Sequence, residues 1–175
     1  FMTLHPDFEN INDEVERCIS MGLKGVKLHP DFQRFHIDDH KAFCIYEAIS
    51  GRLPLLVHTG DFRYQWSKPE RMAKVMDEFP AVIGAHFGGW SEWDDAARVF
   101  KGKNIYVDTS STMYSVPPEH INELIRQYGT DHVLFGSDYP MWDAGTELEY
   151  IEKLDLTNEE RELILHKNTE RILGI

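Results

Sequence analysis

The sequence is poor in cysteine and in basic residues. Its 175 residues include 2 cysteines, and 18 lysines and arginines stand against 30 aspartates and glutamates. The formal net charge of −12 would repel nucleic acids and anionic membranes, so we expect neither as a partner. Cys18 and Cys44 both fall in predicted helices, which favours reduced thiols over a disulfide.

Patterns of several common protein classes are also missing. No stretch approaches the roughly 18 apolar residues of a membrane-spanning helix, and we recognise no signal peptide. Gly84–Gly89 is rich in glycine but follows neither the dinucleotide-binding nor the Walker pattern. Ser137 lies between Gly136 and Asp138, which is not the elbow of a serine hydrolase. We therefore expect a cytoplasmic protein of another class.

The sequence does contain a repeated pattern of short apolar runs that end in histidine or aspartate. In the clearest case, Leu55–Val57 is followed by His58. This run is too short for a helix and has no polar alternation, so it predicts a strand buried on both faces. Five further runs are built the same way: Phe1–Leu4 before His5, Val26–Leu28 before His29, Val82–Ala85 before His86, Ile105–Val107 before Asp108 and Val133–Ser137 before Asp138.

Amphipathic helical segments separate these runs, and most begin at a capping residue. The alternation predicts six βα units, a final extra helix and a parallel sheet within a single domain, residues 1–175. Six units suit either a doubly wound sheet or a (β/α)₈ barrel without its first two units. The predicted helix starts are Asn12, Asp38, Ser91, the prolines Pro117 and Pro118, and two capping boxes, Ser67–Glu70 and Thr157–Glu160.

Three strand-end residues carry the chemistry that this pattern suggests. The carboxyl ends of parallel strands share one side of the sheet, so His58, His86 and Asp138 should converge there. Two imidazoles and a carboxylate suit zinc, iron or manganese. A catalytic cation lowers the pKa of a water towards about 7, a carboxylate can accept the proton, and a second histidine can polarise a carbonyl. These are the parts of metal-assisted hydrolysis.

Five motifs, taken in order, resemble the amidohydrolase-2 group of the amidohydrolase superfamily. This group includes aminocarboxymuconate-semialdehyde decarboxylase and related lactone hydrolases. The resemblance runs through the whole chain to a closing Asn168–Gly174. The motifs are Gly25–Pro30, Val57–Gly60, Ala85–Gly89, Val107–Ser110 and Leu134–Pro140.

The resemblance implies a metal-binding (β/α)₈ TIM barrel, with a divalent cation as cofactor. His58 matches a metal ligand on the fifth strand of the family's barrel. His86 matches the sixth-strand histidine that takes part in catalysis beside the metal. Asp138 matches the eighth-strand aspartate that binds metal and activates water. We therefore expect His58, His86 and Asp138 to hold the cation, zinc ahead of manganese or iron, and Asp138 and His86 to act in catalysis.

The family also has a His-x-His pair of metal ligands on its first strand, and this sequence contains no such pair. The run Phe1–Leu4 aligns with the family's third strand, so the first two βα units are absent. Such a sheet would leave two unpaired edges, which favour association. We therefore expect either a fragment of a longer protein or a barrel that another chain completes, with a homo-oligomer as one form.

Four further residues are candidates for binding substrate. Lys27 and His29 point to the same face of their strand because side chains alternate; an ion pair or a carbamylated, metal-bridging lysine is the alternative for Lys27. Arg63 follows His58 in a loop with Trp66 and can clamp a carboxylate, or it forms a surface ion pair.

Asp108 either orients a catalytic group or caps a turn.

These expectations combine into a metal-dependent hydrolase of C–N or carboxylic-ester (lactone) bonds in a small, anionic substrate. A non-oxidative decarboxylase, a lyase built on the same metal site, is the first alternative. A truncated barrel without activity is the second.

Overall fold

Five short parallel strands form one sheet in the computed structural model, which describes residues 1–79 and 81–175. Neighbours in the sheet are also neighbours along the chain. A doubly wound sheet would reverse its strand order at a switch point, whereas a barrel wall keeps the strands in sequence. The strands are β1 (Val26–Leu28), β2 (Leu55–Val57), β3 (Val82–Gly84), β4 (Tyr106–Asp108) and β5 (Val133–Leu134).

The two faces of the sheet have different surroundings. The register pairs Val26 with Leu55 and Leu55 with Val82, so residues at one level share a face. One face is apolar and buried in the main core with the helices. The other face borders a groove of about 390 Å³. Side chains of Lys27, Leu56, Ile83, Asp108 and Leu134 line this groove.

Helices connect the strands, as the sequence predicts. The longest are amphipathic and bury one stripe of apolar residues each. A π-helical turn, Leu163–Lys167, joins the last two helices. The helices are α1 (Ile11–Ser20), α2 (Pro30–Gln33), α3 (Phe43–Ile49), α4 (Pro69–Glu78), α5 (Trp93–Val99), α6 (Pro118–Tyr128), α7 (Ala144–Ile151), α8 (Asn158–Glu162) and α9 (Asn168–Leu173), with 3₁₀ turns at His40–Ala42 and Thr130–His132.

The strand predicted at Phe1–Leu4 is reduced to one parallel bridge, between Met2 and Val26. The backbone of Met2 exchanges hydrogen bonds with Gly25 and Lys27. The next available carbonyl, that of Leu4, instead accepts from the side-chain amide of Gln33 at 2.7 Å. This side-chain contact ends the ladder.

Several predicted helix caps are wrong, and in two of them, Ser67 and Asp38, the side chain makes other contacts. The N-cap of α4 is Lys68, and it makes no capping bond. Ser67, predicted to begin a capping box there, donates its hydroxyl to Asp31 at 2.6 Å. Asp38 pairs with Lys74 at 2.8 Å. The N-caps of α1, the first 3₁₀ turn and α5 are Asn10, Asp39 and Glu92, in place of Asn12, Asp38 and Ser91.

Other local predictions are confirmed. Thr157 and Glu160 form the capping box of α8, and prolines begin α4 and α6. Cys18 and Cys44 lie in helices and are free thiols. Among the residues that the structure describes, no helix combines the length and apolar character needed to cross a membrane. The single-domain organisation stays a prediction.

Candidate active site

A cleft of about 500 Å³ opens at the carboxyl ends of the strands. It gathers most of the residues that the sequence proposes for chemistry. Trp66 lies outside this lining and stacks on Tyr64, with 5.7 Å between ring centroids. The predicted site residues that line the cleft are Lys27, His29, His58, Arg63, His86 and Asp138.

A strained turn after β3 carries His86. His86, Phe87 and Gly88 all have left-handed backbone angles, with φ of 59°, 52° and 77°. Only glycine adopts this region without steric cost. The turn is held by Asp108: its carbonyl accepts from the Phe87 amide at 2.7 Å, and its carboxylate accepts from the His86 amide at 2.9 Å. Asp108 therefore orients the histidine-bearing segment, and the energy stored in the turn is of the kind found at functional sites.

The loops that follow β2 and β3 approach each other too closely for a side chain. A Cβ on Gly60, whose φ is +64°, would lie 2.6 Å from the Cα of Gly89. The Trp90 amide donates to the carbonyl of Thr59 at 2.8 Å. This close approach brings the imidazoles of the two loops together.

The proton of a neutral His86 is placed by its surroundings. The Ser110 hydroxyl donates to the Asp108 carboxylate, which can only accept. Both the carbonyl and the hydroxyl oxygen of Ser110 lie 2.9 Å from Nδ1 of His86. Because these oxygens must act as acceptors, Nδ1 carries the proton and donates. Nε2 of His86 is then left with a lone pair.

That lone pair faces His58. Nε2 of His86 lies 3.0 Å from Nδ1 of His58, and the rings meet edge to face at 68°. Burial lowers the pKa of both imidazoles below the ordinary value of histidine, so both are neutral. Two neutral imidazole nitrogens at this separation either share one proton or hold one cation together. The donor set and the fixed orientation of His86 fit a divalent cation.

The far side of His58 faces a buried carboxylate that the sequence analysis missed. Asp31 is 3% exposed, and its Oδ2 lies 3.5 Å from Nε2 of His58. Burial raises the pKa of Asp31, and the hydrogen bond from Ser67 partly opposes this shift. Neither Nε2 of His58 nor Oδ1 of Asp31 has a hydrogen-bond partner within the described residues. With His29, which stacks on His58 at 3.9 Å, these residues offer ligand atoms within 4.8 Å of one another.

Asp138 lies on the exposed side of the cleft. Its backbone is also left-handed, with φ of 60°. The hydroxyl of Ser111 donates to Oδ2 of Asp138 at 2.7 Å and accepts from the indole of Trp142 at 3.0 Å. Asp138 lines both this cleft and the neighbouring groove.

Two cations border the cleft. Burial lowers the pKa of Lys27, while the carboxylates of Asp108 and Asp138 raise it. Arg63 forms a two-pronged ion pair with Asp61, with a shortest separation of 2.7 Å, and lies over the ring of Trp90. Arg63 is therefore ion-paired and also lines the cleft; its role as a clamp for a substrate carboxylate stays a prediction. Lys27 lines both the cleft and the neighbouring groove.

Sequence reasoning missed Asp31, Ser67 and Ser110 because they act through contacts between distant loops. A weak signal was present: Asp31 follows His29 by two residues, and Ser110 follows Asp108 by two. A residue two positions after the residue at a strand end stays close to the side chain of that strand-end residue. Nothing in the sequence indicated that Ser67 would reach Asp31 instead of capping α4.

Comparison with solved structures identifies the sheet as part of a TIM barrel. An uncharacterized TIM-barrel protein from Bordetella bronchiseptica has a TM-score of 0.82 at 22% identity, over 98% of this chain and 65% of that one. A manganese-bound dihydroxybenzoic acid decarboxylase from Polaromonas sp. has a TM-score of 0.69 at 16% identity, over 97% and 66%. A probable 2-pyrone-4,6-dicarboxylic acid hydrolase from Acinetobacter baumannii has a TM-score of 0.74 at 14% identity, over 99% and 72%.

The chain thus spans 65% of the length of the first of these structures. The expected architecture, a (β/α)₈ barrel wall without its first two units, agrees with that coverage and with the sequential strand order. Curated protein sequences give no match. The family model of the amidohydrolase-2 group, described as amidohydrolase, matches residues 1–175. The chain therefore belongs to the amidohydrolase-2 family, whose members are metal-dependent enzymes.

Proposed function

We propose that this chain carries the catalytic site of a metal-dependent hydrolase for C–N or carboxylic-ester bonds, lactones included, in a small anionic substrate. The observation that carries the proposal is the pair of neutral imidazoles, Nδ1 of His58 and Nε2 of His86, 3.0 Å apart at the base of the cleft. Family membership supports an enzyme of this kind. The hydrolysed bond is inferred from the chemistry of the site.

His58, His86 and Asp138 would hold the cation, which supplies water activation and polarisation of the substrate carbonyl when bound. Zinc suits two imidazoles and a carboxylate. Manganese, present in the Polaromonas decarboxylase, is the alternative. Ser110 fixes the proton of His86 on Nδ1, and the ring thereby keeps its Nε2 lone pair towards the cleft.

Asp138 is the residue placed to move a proton. Its Oδ2 is held by Ser111 at 2.7 Å, and Oδ1 can accept a proton from the attacking water and return it to the leaving group. Its exposed position gives substrate and water direct access.

Positive charge at the cleft favours an anionic substrate. Burial lowers the pKa of Lys27, and the charges of Asp108 and Asp138 oppose this shift. A substrate carboxylate would add a further partner. Arg63 already pairs with Asp61 and would contribute mainly through its long-range charge, while His29 would contact the substrate from the same wall as Lys27. Trp66, outside the lining, is not part of this proposal.

A non-oxidative decarboxylase is the second candidate, because aromatic side chains wall the cleft opposite the imidazoles. Tyr114 and Trp142 pack with 4.1 Å between centroids, and both line the cleft beside Trp90. Such walls suit a flat carboxylated ring. The manganese-bound neighbour is a decarboxylase of such a ring by its name, and it supports the fold of the candidate site.

Product analysis separates the two reactions. The zinc- or manganese-loaded protein is incubated with a carboxylated lactone, an anionic amide and a carboxylated phenol. A hydrolase opens the lactone or amide with consumption of water; release of carbon dioxide from the phenol alone would overturn hydrolysis in favour of the second candidate. Asp138→Ala should lower turnover about 100- to 10,000-fold, whereas the exposed control Asp155→Ala should not. Equal turnover in Asp138→Ala would contradict the proposed proton transfer.

A small-molecule substrate and a homo-oligomeric form stay predictions. The exclusion of nucleic acid and membrane partners also stays a prediction that rests on net charge, as does a cytoplasmic location.

A further inference from the structure

The two ring nitrogens of His58 face different groups. Nδ1 lies 3.0 Å from Nε2 of His86, and Nε2 lies 3.5 Å from the buried carboxylate of Asp31. We propose that Asp31 is a positioning residue: its carboxylate accepts a hydrogen bond from Nε2–H of His58 and thereby keeps the Nδ1 lone pair directed at the cation site. The inference rests on the cation of the proposed function and adds a residue to its machinery.

The state without a cation follows from the hydrogen bonds of His86. Its Nδ1 donates to Ser110, so its Nε2 can only accept. His58 must then carry its proton on Nδ1 to make the 3.0 Å contact. This leaves a lone pair on Nε2 of His58, turned towards the carboxylate. Nε2 of His58 and Oδ2 of Asp31 then face each other at 3.5 Å as two acceptors, which explains why Nε2 of His58 lacks a hydrogen-bond partner in the part of the chain that the structure describes.

The arrangement would be reversed in the cation-bound protein. To hold a cation, His58 and His86 would both offer lone pairs on their facing nitrogens, and the single proton of neutral His58 would then lie on Nε2 instead of Nδ1. No net proton is taken up or released in this exchange, which solvent can mediate. Oδ2 of Asp31 is placed to accept a hydrogen bond from this Nε2–H, so the previously unpartnered Nε2 of His58 would gain a charge-assisted hydrogen bond. Carboxylates that hold a metal-ligating histidine in this way are common in metal sites.

The carboxylate of Asp31 is held in place for this task. Ser67 donates to its Oδ2 at 2.6 Å, and both side chains are almost completely buried. Ser67 makes this contact in place of capping α4, and burying a carboxylate with one unpartnered oxygen destabilises the protein. A hydrogen bond from His58 to Oδ2 would give this buried carboxylate a second donor beside Ser67.

A direct role for Asp31 as a cation ligand, together with His29 and His58, fits the geometry less well. The rings of His29 and His58 are stacked 3.9 Å apart with 11° between their planes. Their in-plane lone pairs therefore lie in nearly parallel planes and do not point at one common position.

Two measurements on the full chain test the proposal. The first is zinc affinity by competition with a chelating dye, for the wild-type protein, Asp31→Ala, Asp31→Asn, and Glu147→Gln as a control at another buried carboxyl. Asp31→Ala should weaken zinc binding about 10- to 100-fold, and Asp31→Asn, which keeps an acceptor, should recover part of that loss. The second is long-range ¹H–¹⁵N NMR of His58, which should place its proton on Nδ1 without zinc and on Nε2 with zinc.

The outcomes separate this inference from the proposed function. Zinc bound through His58, with unchanged affinity in Asp31→Ala, overturns the positioning role alone. An NMR spectrum of the zinc-loaded wild-type protein with the His58 proton still on Nδ1 also overturns the positioning role. This measurement does not depend on whether a variant folds. Complete loss of zinc in both Asp31 variants would assign Asp31 as a direct ligand and also overturn positioning. A wild-type chain that binds no zinc or manganese at all overturns the cation site itself.

Discussion

The face of the sheet that packs against the helices, here called the outward face, and the carboxyl edge of the sheet are built from the same strands. They differ in polarity and in backbone conformation. Val26, Val57 and Val107 are fully buried on the outward face, against helices that bury apolar stripes. At the carboxyl edge, His86 and Asp138 occupy left-handed backbone conformations. The first region has the features that stabilise a fold, and the second has the features that function requires at a cost in stability. Substitutions in the two regions should therefore act in opposite directions.

The largest expected effect on stability lies in the helix layer. Leu124 of α6 is fully buried, and Leu124→Ala should lower the free energy of unfolding by about 2–5 kcal/mol. Urea denaturation measures the loss. Zinc affinity at temperatures where the variant is folded should equal that of the wild-type protein. A parallel loss of zinc affinity would show that the two regions are not independent.

Glu147, a buried acid of α7 outside the cleft, should have a smaller, pH-dependent effect. Burial raises its pKa from 4.5 to about 7. The folded state therefore holds more protons than the unfolded chain between these values, so stability falls as the pH rises through this window. Glu147→Gln should stabilise the protein by about 1–2 kcal/mol at pH 8 and have no effect at pH 4. Thermal melting at both values is the measurement, and an equal effect at both would contradict it.

Replacement of Lys27 should raise the stability of the protein and weaken its binding of an anionic substrate. Its pKa in the folded protein is lowered by burial, so the unfolded chain binds the proton more tightly and stability rises with pH up to the unfolded pKa. Lys27→Met should add about 1 kcal/mol at pH 7 and nothing above pH about 11. It should also raise KM for an anionic substrate about 10-fold. Lys24→Met, at an exposed position, is the control; a destabilised Lys27→Met protein would refute the comparison.

The smallest effect belongs to the surface. Arg98 pairs with Asp95 at 2.8 Å, with both side chains more than 60% exposed. Arg98→Ala should change stability by less than about 0.5 kcal/mol because solvent screens such pairs. Calorimetry at low and high salt checks this value. A larger, salt-dependent loss of stability would indicate that surface ion pairs contribute more to the free energy of unfolding than is expected here.

The same contrast explains how much could be predicted from the sequence. The five strands were predictable because each is a short, mainly apolar run that is too short for a helix and ends at a polar residue or a turn. The carboxyl-edge positions of His58, His86 and Asp138 followed from parallel topology. The strand at Phe1–Leu4 was mispredicted because a side chain, Gln33, competes for its backbone.

The rest of the site depended on contacts between loops. The Ser67–Asp31 hydrogen bond joins residues 36 positions apart, and local patterns favour helix capping for such a serine. The proton on Nδ1 of His86 follows from the Asp108–Ser110 pair, which lies on another strand end. Local periodicity therefore specifies which elements form and where their ends lie, while tertiary contacts decide which polar atoms remain available.

The cation content of the purified protein tests the central claim most directly. We would prepare the wild-type chain, His58→Ala and the surface control His166→Ala without chelator, and measure zinc and manganese per chain by elemental analysis. The account predicts about one equivalent in the wild-type and control proteins and a large loss in His58→Ala. Cation retained in His58→Ala, or absent from the wild-type protein after zinc or manganese is supplied, would contradict it.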